Sequence, residues 1–300
     1  MNKSIVKRSK GVTLIELLIA LMISAILIAG IYRIFLYHQR TYVTQEQVAD
    51  MQQNVRVAIN RMMREIRMAG FGGKNDNSHG NNDIINIFGN VNGFANIINP
   101  ENNVTEDGIT HDRITVVAAY SQIATIAANV TAGDNLLRVN YTGSTKFNSD
   151  ARKYVCINGR NNYEIVPTAG NNLTLAGTFT LNENHSAGEP VFLVRAIRYG
   201  LRVDTQGIPV LFRDLYPNTG SSKRESIAEY IEDLKICYIL AKDPNSCVPV
   251  VGNPTQIRGI RIAITARTKS SDPQLKEGGG FRRRTINTYI DLRNLKDDSP

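Results

Sequence analysis

Cysteine is scarce, with three residues in 300 and no Cys-x-x-Cys pair, so neither a disulfide scaffold nor a structural zinc site of ordinary spacing can be built. One disulfide is the most these residues allow. Histidine is nearly as rare. His38, His79, His111 and His185 stand alone, none with a second histidine three or four residues on to make a metal-binding helix face. There is no Gly-x-Ser-x-Gly elbow and no Gly-x-x-x-x-Gly-Lys-Ser/Thr phosphate loop. The Asp- and Asn-rich stretches lack the alternating spacing of a calcium loop. Adjacent acids such as Glu106/Asp107 and Glu232/Asp233 are expected by chance among 27 carboxylates. The chain therefore reads as a non-enzyme, with no cofactor and no metal.

The rest of the composition is ordinary for a globular protein at 42% apolar, 21% charged and 7% aromatic, which suits one large domain or two smaller ones. The slightly negative mean hydropathy excludes several membrane spans and allows one. The net charge of +8 looks like a nucleic-acid signal, but Lys3, Lys7, Arg8 and Lys10 supply half of it before residue 11. What remains over about 290 residues is a weak argument for DNA or RNA.

Behind that basic stretch comes an apolar run from Val12 to Ile31, whose single ionisable group is Glu16. Twenty residues at 1.5 Å each give about 30 Å of helix, the thickness of a bilayer's hydrocarbon core. The preceding Lys and Arg place residues 1–11 in the cytoplasm and everything after about residue 32 outside. Three readings compete: a Sec signal cut after the run, an uncut anchor, and a prepilin cut before it. Secretory apolar regions span about 7–15 residues, which disfavours the first. A carboxylate inside the apolar run costs up to about 2.5–3.5 kcal/mol, so it marks a partner or a function, and a plain anchor has no use for one.

The segment Gly11-Val12-Thr13-Leu14-Ile15-Glu16 resembles the class III leader of type IV pilins and type II secretion pseudopilins. The resemblance implies that a prepilin peptidase cuts after Gly11 and that Val12, where the family more often carries Phe or Met, becomes the N-methylated first residue. It also implies that Glu16 meets the terminal amine of a neighbouring subunit. A carboxylate one helical turn from an exposed amine, both at a low-dielectric edge, would fix the stagger between adjacent helices. The simpler alternative is that Glu16 reaches its own N-terminus or snorkels to the interface.

From Val12 to Ala69 there is no proline and only one glycine, Gly30, which predicts one helix of about 87 Å. Its second half carries an apolar stripe of Val48, Met51, Val55, Ile59, Met62 and Ile66 for packing on a sheet. Gly70, Gly72 and Gly73 end it. Lys74 to Gly108, with eleven asparagines, reads as a long connector and a candidate contact surface.

Beyond Asp112 the pattern predicts strands at Arg113–Tyr120, Leu136–Tyr141, Tyr154–Ile157, Leu173–Leu181, Pro190–Val203 and Ile208–Arg213, then within 227–240, 257–268 and 284–293. Asp204-Thr205-Gln206-Gly207 reads as a hairpin turn. The plan is α+β, an antiparallel sheet on the outer half of the helix. The expected segments are a removed basic leader at 1–11, a membrane and assembly half-helix at 12–32, an amphipathic half at 33–70, an Asn-rich connector at 71–111 and a β-rich head at 112–300.

Ser226 to Tyr238, Gly259 to Arg267 and the ending Tyr289-Ile290-Asp291-Leu292-Arg293-Asn294 are similar to the C-terminal half of PilW-type minor pilins and J-type minor pseudopilins. This resemblance implies a minor pilin that helps start or cap a type IV pilus, alternatively a type II secretion pseudopilin. The implied partners are the prepilin peptidase, other minor pilins, the major pilin and the inner-membrane assembly platform. The implied setting is a filament serving adhesion and twitching motility.

Two further features stand apart. Cys237 and Cys247 flank Asp243-Pro244-Asn245-Ser246, a turn signal, so they are one candidate pair among three, with Cys156 left as a buried thiol or an alternative partner. Arg282-Arg283-Arg284, after Gly278-Gly279-Gly280, is the best polyanion contact, near Phe281 and Tyr289. Positive charge guarding a strand edge explains that run equally well, so DNA is not the expected partner. An external binding module, an adhesin or DNA-uptake receptor using 74–108 or 282–284, is the reading from another class.

Overall fold

The proline-free stretch forms one helix, α1 (Leu14–Arg67), in a computed structural model that describes residues 11–73, 84, 88–148, 150–168, 171–177, 180–272 and 274–295. Residues 1–10 of the expected leader and 74–83 and 85–87 of the Asn-rich segment lie outside the described residues. The chain divides into two units, Met1–Asp50 and Met51–Pro300. In the first, the side chains of the apolar run are exposed throughout.

In the second unit, Met51, Val55, Ala58, Ile59, Met62 and Ile66 form the buried face of α1. Their three- and four-residue spacing puts them on one stripe, and burying each large member contributes about 1.5–3 kcal/mol. The helix ends at Arg67, and Gly70 and Gly72 follow with φ of +77° and +98°. Gly72 passes so close to the sheet that a Cβ there would stand 2.7 Å from that of Ala119.

Thirteen strands follow among the described residues: β1 (Ile98–Glu106), β2 (Ile109–Ile126), β3 (Leu136–Tyr141), β4 (Tyr154–Ile157), β5 (Asn161–Pro167), β6 (Asn172–Leu175), β7 (Pro190–Val203), β8 (Pro209–Leu215), β9 (Lys223–Glu229), β10 (Ile231–Leu240), β11 (Asp243–Val248), β12 (Ile257–Arg267) and β13 (Arg283–Asp291). All pairings are antiparallel. The larger sheet runs β1-β2-β3-β6-β5-β4-β7-β8-β9, and β2 also pairs with β7. That extra pairing closes β2, β3, β6, β5, β4 and β7 into a small barrel. Alternation along β4 shows why it fills: Val155 and Ile157 point into a core with Leu137, Val139, Tyr163 and Leu193, while Tyr154 and Cys156 join a second cluster with Phe94 and Val117 on the outside. The smaller sheet runs β11-β10-β12-β13.

The α+β plan of a long N-terminal helix on antiparallel sheet stands, but several boundaries need correction. The connector expected at 71–111 contains β1 and the start of β2, so the β-rich part begins before residue 112. Nothing in Asn-Pro-Glu-Asn-Asn favours a strand. It is held by pairing with β2, across a register shift between Glu101 and Val104, and by Arg113, which reaches Glu101 and Glu106 at 2.5 and 3.4 Å. The Asp-Pro-Asn-Ser turn is instead part of β11, and the chain reverses at Ala241 and Lys242. The strand expected over Leu173–Leu181 ends at Leu175, β5 was not expected, and the strand over 227–240 breaks at Tyr230, whose φ is +60°.

Candidate functional site

The first turn of α1 is a capping box. Thr13 precedes the helix, its N–H and hydroxyl donate to Glu16 Oε2 at 2.9 and 3.0 Å, and its Oγ1 accepts from the Glu16 N–H at 3.3 Å. This is the Thr-x-x-Glu exchange that satisfies orphan donors at a helix start. The spacing is legible in the sequence, where Glu16 is read as an acid in the apolar run that meets a neighbour's amine or, in the simpler alternative, reaches back to its own N-terminus. In the single chain Glu16 thus serves its own first turn, while Oε1 has no partner among the described residues. Nearby, a Cβ on Gly11 would meet nothing within 4 Å, Val12 is 74% exposed and Leu14 is 81% exposed. An accessible peptide after Gly11 thus lies four residues from a carboxylate that has one oxygen unpartnered among the described residues, in a helix surface that is otherwise apolar from Val12 to Ile31.

A second constellation joins the outer half of α1 to β7 and β8. Glu65 Oε1 and Oε2 receive the Arg213 guanidinium at 2.7 and 2.8 Å, and the Tyr199 hydroxyl donates to the same carboxylate. Arg213 also reaches Glu225 at 3.2 Å, and Arg61 from α1 reaches Glu225 at 3.4 Å. Burial opposes the Arg213 charge, but Glu65 outweighs it and holds the guanidinium above its ordinary pKa. Burial, reinforced by Glu65, pushes the Tyr199 phenol well up. The signal for this clamp was present, since Glu65 is the one acid between Met51 and Arg67, beside the apolar stripe.

Cys237 of β10 and Cys247 of β11 are joined as a disulfide across the ten-residue loop. Cys156 is buried and free, and burial pushes its thiol up to about 12, so it is no nucleophile at neutral pH. The three arginines do not form an open strip. Arg282 donates to Asp272 at 2.7 and 3.0 Å, and Arg283 donates to Glu232 at 2.5 and 3.1 Å, which also binds Arg267 at 3.2 Å. Arg284 is exposed, on the opposite face of the strand from Arg283.

Among the described residues no group of three or more His, Cys, Asp or Glu side chains is placed to hold a metal. Of the histidines, His111 and His185 are buried, His38 is exposed, and His79 lies outside the described residues. Nothing in these groups forms a nucleophile–base pair, which is consistent with a non-enzymatic structural protein. α1 is the one described helix long and apolar enough to cross a membrane, consistent with a membrane-spanning or signal segment.

Residues 6–32 match the family model described as the prokaryotic N-terminal methylation motif. No curated protein and no solved structure matches the chain. The motif implies processing by a prepilin peptidase. Taken with the long helix and its antiparallel sheet head, it points to the broad superfamily of type IV pilins and pseudopilins.

Proposed function

We propose that the chain is a PilW-type minor pilin, a structural subunit that helps initiate or cap a type IV pilus. In this reading residues 1–11 are the cytoplasmic leader, removed after Gly11, and Val12 becomes the N-methylated terminus. Residues 12–32 span the inner membrane and then bundle with other minor pilins and the major pilin on the assembly platform. The β-rich head lies outside the cytoplasm and docks sideways.

Glu16 carries the proposal. A carboxylate in an exposed apolar helix face, with Oε2 held by Thr13 and Oε1 without a partner among the described residues, is a costly group unless a cation arrives. The methylated amine of a neighbour supplies one, and pairing in a low-dielectric layer fixes helix stagger. Glu16→Gln tests this, because it keeps size and hydrogen-bonding capacity while removing the charge. The expected result is normal membrane insertion and processing with piliation reduced at least about tenfold. Full piliation from Glu16→Gln cells would overturn the proposal. Loss of protein secretion with intact pili would transfer the same chemistry to a J-type pseudopilin.

A further inference from the structure

The smaller sheet turns one face away from its core, and that face is hollow. One of its two inner strands, β12, presents Gly259, Arg261 and Ala263 there, two of them with little or no side chain. Cross-strand register sets Cys237, Arg261 and Tyr289 in one row and Lys235, Ala263 and Asn287 in the next. Small residues in the middle and long ones around them leave an open groove of about 620 Å³, walled on the β11 side by Pro249. The Cys237–Cys247 bond ties that wall to the floor. The volume lies in the range of small-ligand sites, about 300–1,000 Å³.

Tyr289 lies across Gly259, since a Cβ on that glycine would meet its Cε2 and Oη at 2.8 Å. The ring is therefore supported by backbone, yet the side chain remains 49% exposed. Beside it Arg261 is exposed and has no ion-pair partner among the described residues. The carboxylate near Lys235, that of Asp233, stands 4.0 Å away. Asp112 also borders the groove, but it is only 4% exposed, and its oxygens are taken by the N–H groups of Asn103 and Ile236 at 3.1 and 2.8 Å. The accessible groups are thus two cations, one amide and one aromatic ring.

We propose that this groove binds an acidic saccharide: a sugar ring on Tyr289, its carboxylate on Arg261 and Lys235, and a hydroxyl on Asn287. The electron-rich face of a phenol ring suits the C–H face of a pyranose, and a planar guanidinium suits a carboxylate. Tyr and Arg are also common anchors of protein interfaces. Here, however, they line a concave groove of small-ligand size together with Lys235, a residue type depleted in interface cores, so a small anionic ligand fits better than a protein surface. A nucleic acid fits less well too, because it needs a longer cationic track and successive stacking rings. The inference goes beyond the assembly role and does not depend on it.

The test is titration calorimetry of the full chain in neutral detergent against trigalacturonate, 3′-sialyllactose and a hyaluronan tetrasaccharide. Maltotriose, hexaglutamate and an oligothymidylate serve as competitors in class. At least one acidic sugar is expected to bind saturably, at least tenfold tighter than all three competitors. Arg261→Gln and Tyr289→Leu should each weaken it at least tenfold, and Arg284→Gln, outside the groove, should leave it unchanged. Arg261 is an exposed position, so its variant keeps the reading independent of folding. No binding by any acidic sugar, equal binding of a competitor, or undiminished binding by Arg261→Gln would overturn the proposal.

Discussion

Replacing Glu65 with alanine strands a buried cation. The Glu65 and Arg213 side chains are 12% and 8% exposed, so little water can take the place of the lost carboxylate. Arg213 would keep only Glu225, at 3.2 Å and itself 28% exposed, and the Tyr199 hydroxyl would lose its acceptor. Breaking a buried pair from one side costs about 3–5 kcal/mol. For a domain of this size each kcal/mol moves the melting temperature by about 2–4 °C, so Glu65→Ala should melt roughly 6–20 °C lower. The assay is a circular-dichroism melt of the full chain in neutral detergent, checked by the urea midpoint. The double variant Glu65→Leu/Arg213→Met leaves no stranded charge and should recover most of the loss. A shift under about 2 °C for Glu65→Ala, or a double variant as unstable as the two single losses added together, would refute the argument that this clamp holds α1 on the sheet.

Thr13→Val removes the cap hydroxyl and should cost the first turn about 1 kcal/mol, read as faster amide exchange at residues 14–17 with no change in the head's melt. Burial raises the phenol pKa of Tyr199 and Tyr238. In the unfolded chain these groups ionise from about pH 10, so their stabilisation is complete below that value and declines as pH rises past it. Absorbance at 295 nm should show them titrating only as the fold is lost, and ionisation in the folded state would contradict their burial. Cys237→Ser/Cys247→Ser should destabilise by about 2–4 kcal/mol, and dithiothreitol should lower the wild-type midpoint but not the variant's. Arg283→Gln leaves Glu232 with Arg267 as its partner and should lower stability by at most about 1 kcal/mol, since the pair's side chains are 37% and 27% exposed and in contact with water, with no change in salt-dependent DNA retention.

The helix and the motif at its start were legible because they depend on local features: no proline from Val12 to Ala69, an apolar stripe at helical spacing, and Gly11 five residues before Glu16. The strands rich in Val, Ile and Tyr were legible for the same reason. β1 and β11 were not, because Asn, Pro, Asp and Glu carry no strand propensity of their own and become strands there only by pairing with the adjacent arm of a hairpin, supported by Arg113 in one and the Cys237–Cys247 bond in the other. Closure of the barrel was also out of reach. It follows from β2 and β7 outrunning their other neighbours, and register of that kind appears only once strands are paired. The arginine run shows the opposite limit: its charge was obvious, but Asp272 and Glu232, which occupy two of the three side chains, lie 10 and 51 residues away. The groove beside Tyr289 depends on three strands and a glycine meeting, and no single segment announces it.

The account rests on a cut between Gly11 and Val12 that turns Glu16 into a contact for a neighbour's amine. Intact-mass and N-terminal fragment spectrometry of the protein from native membranes, with and without the prepilin peptidase, tests this directly. The prediction is a chain beginning at N-methylated Val12 that reverts to Met1 when the peptidase is absent. A chain beginning at Met1 in both samples, or at any residue beyond Ile31, would contradict it.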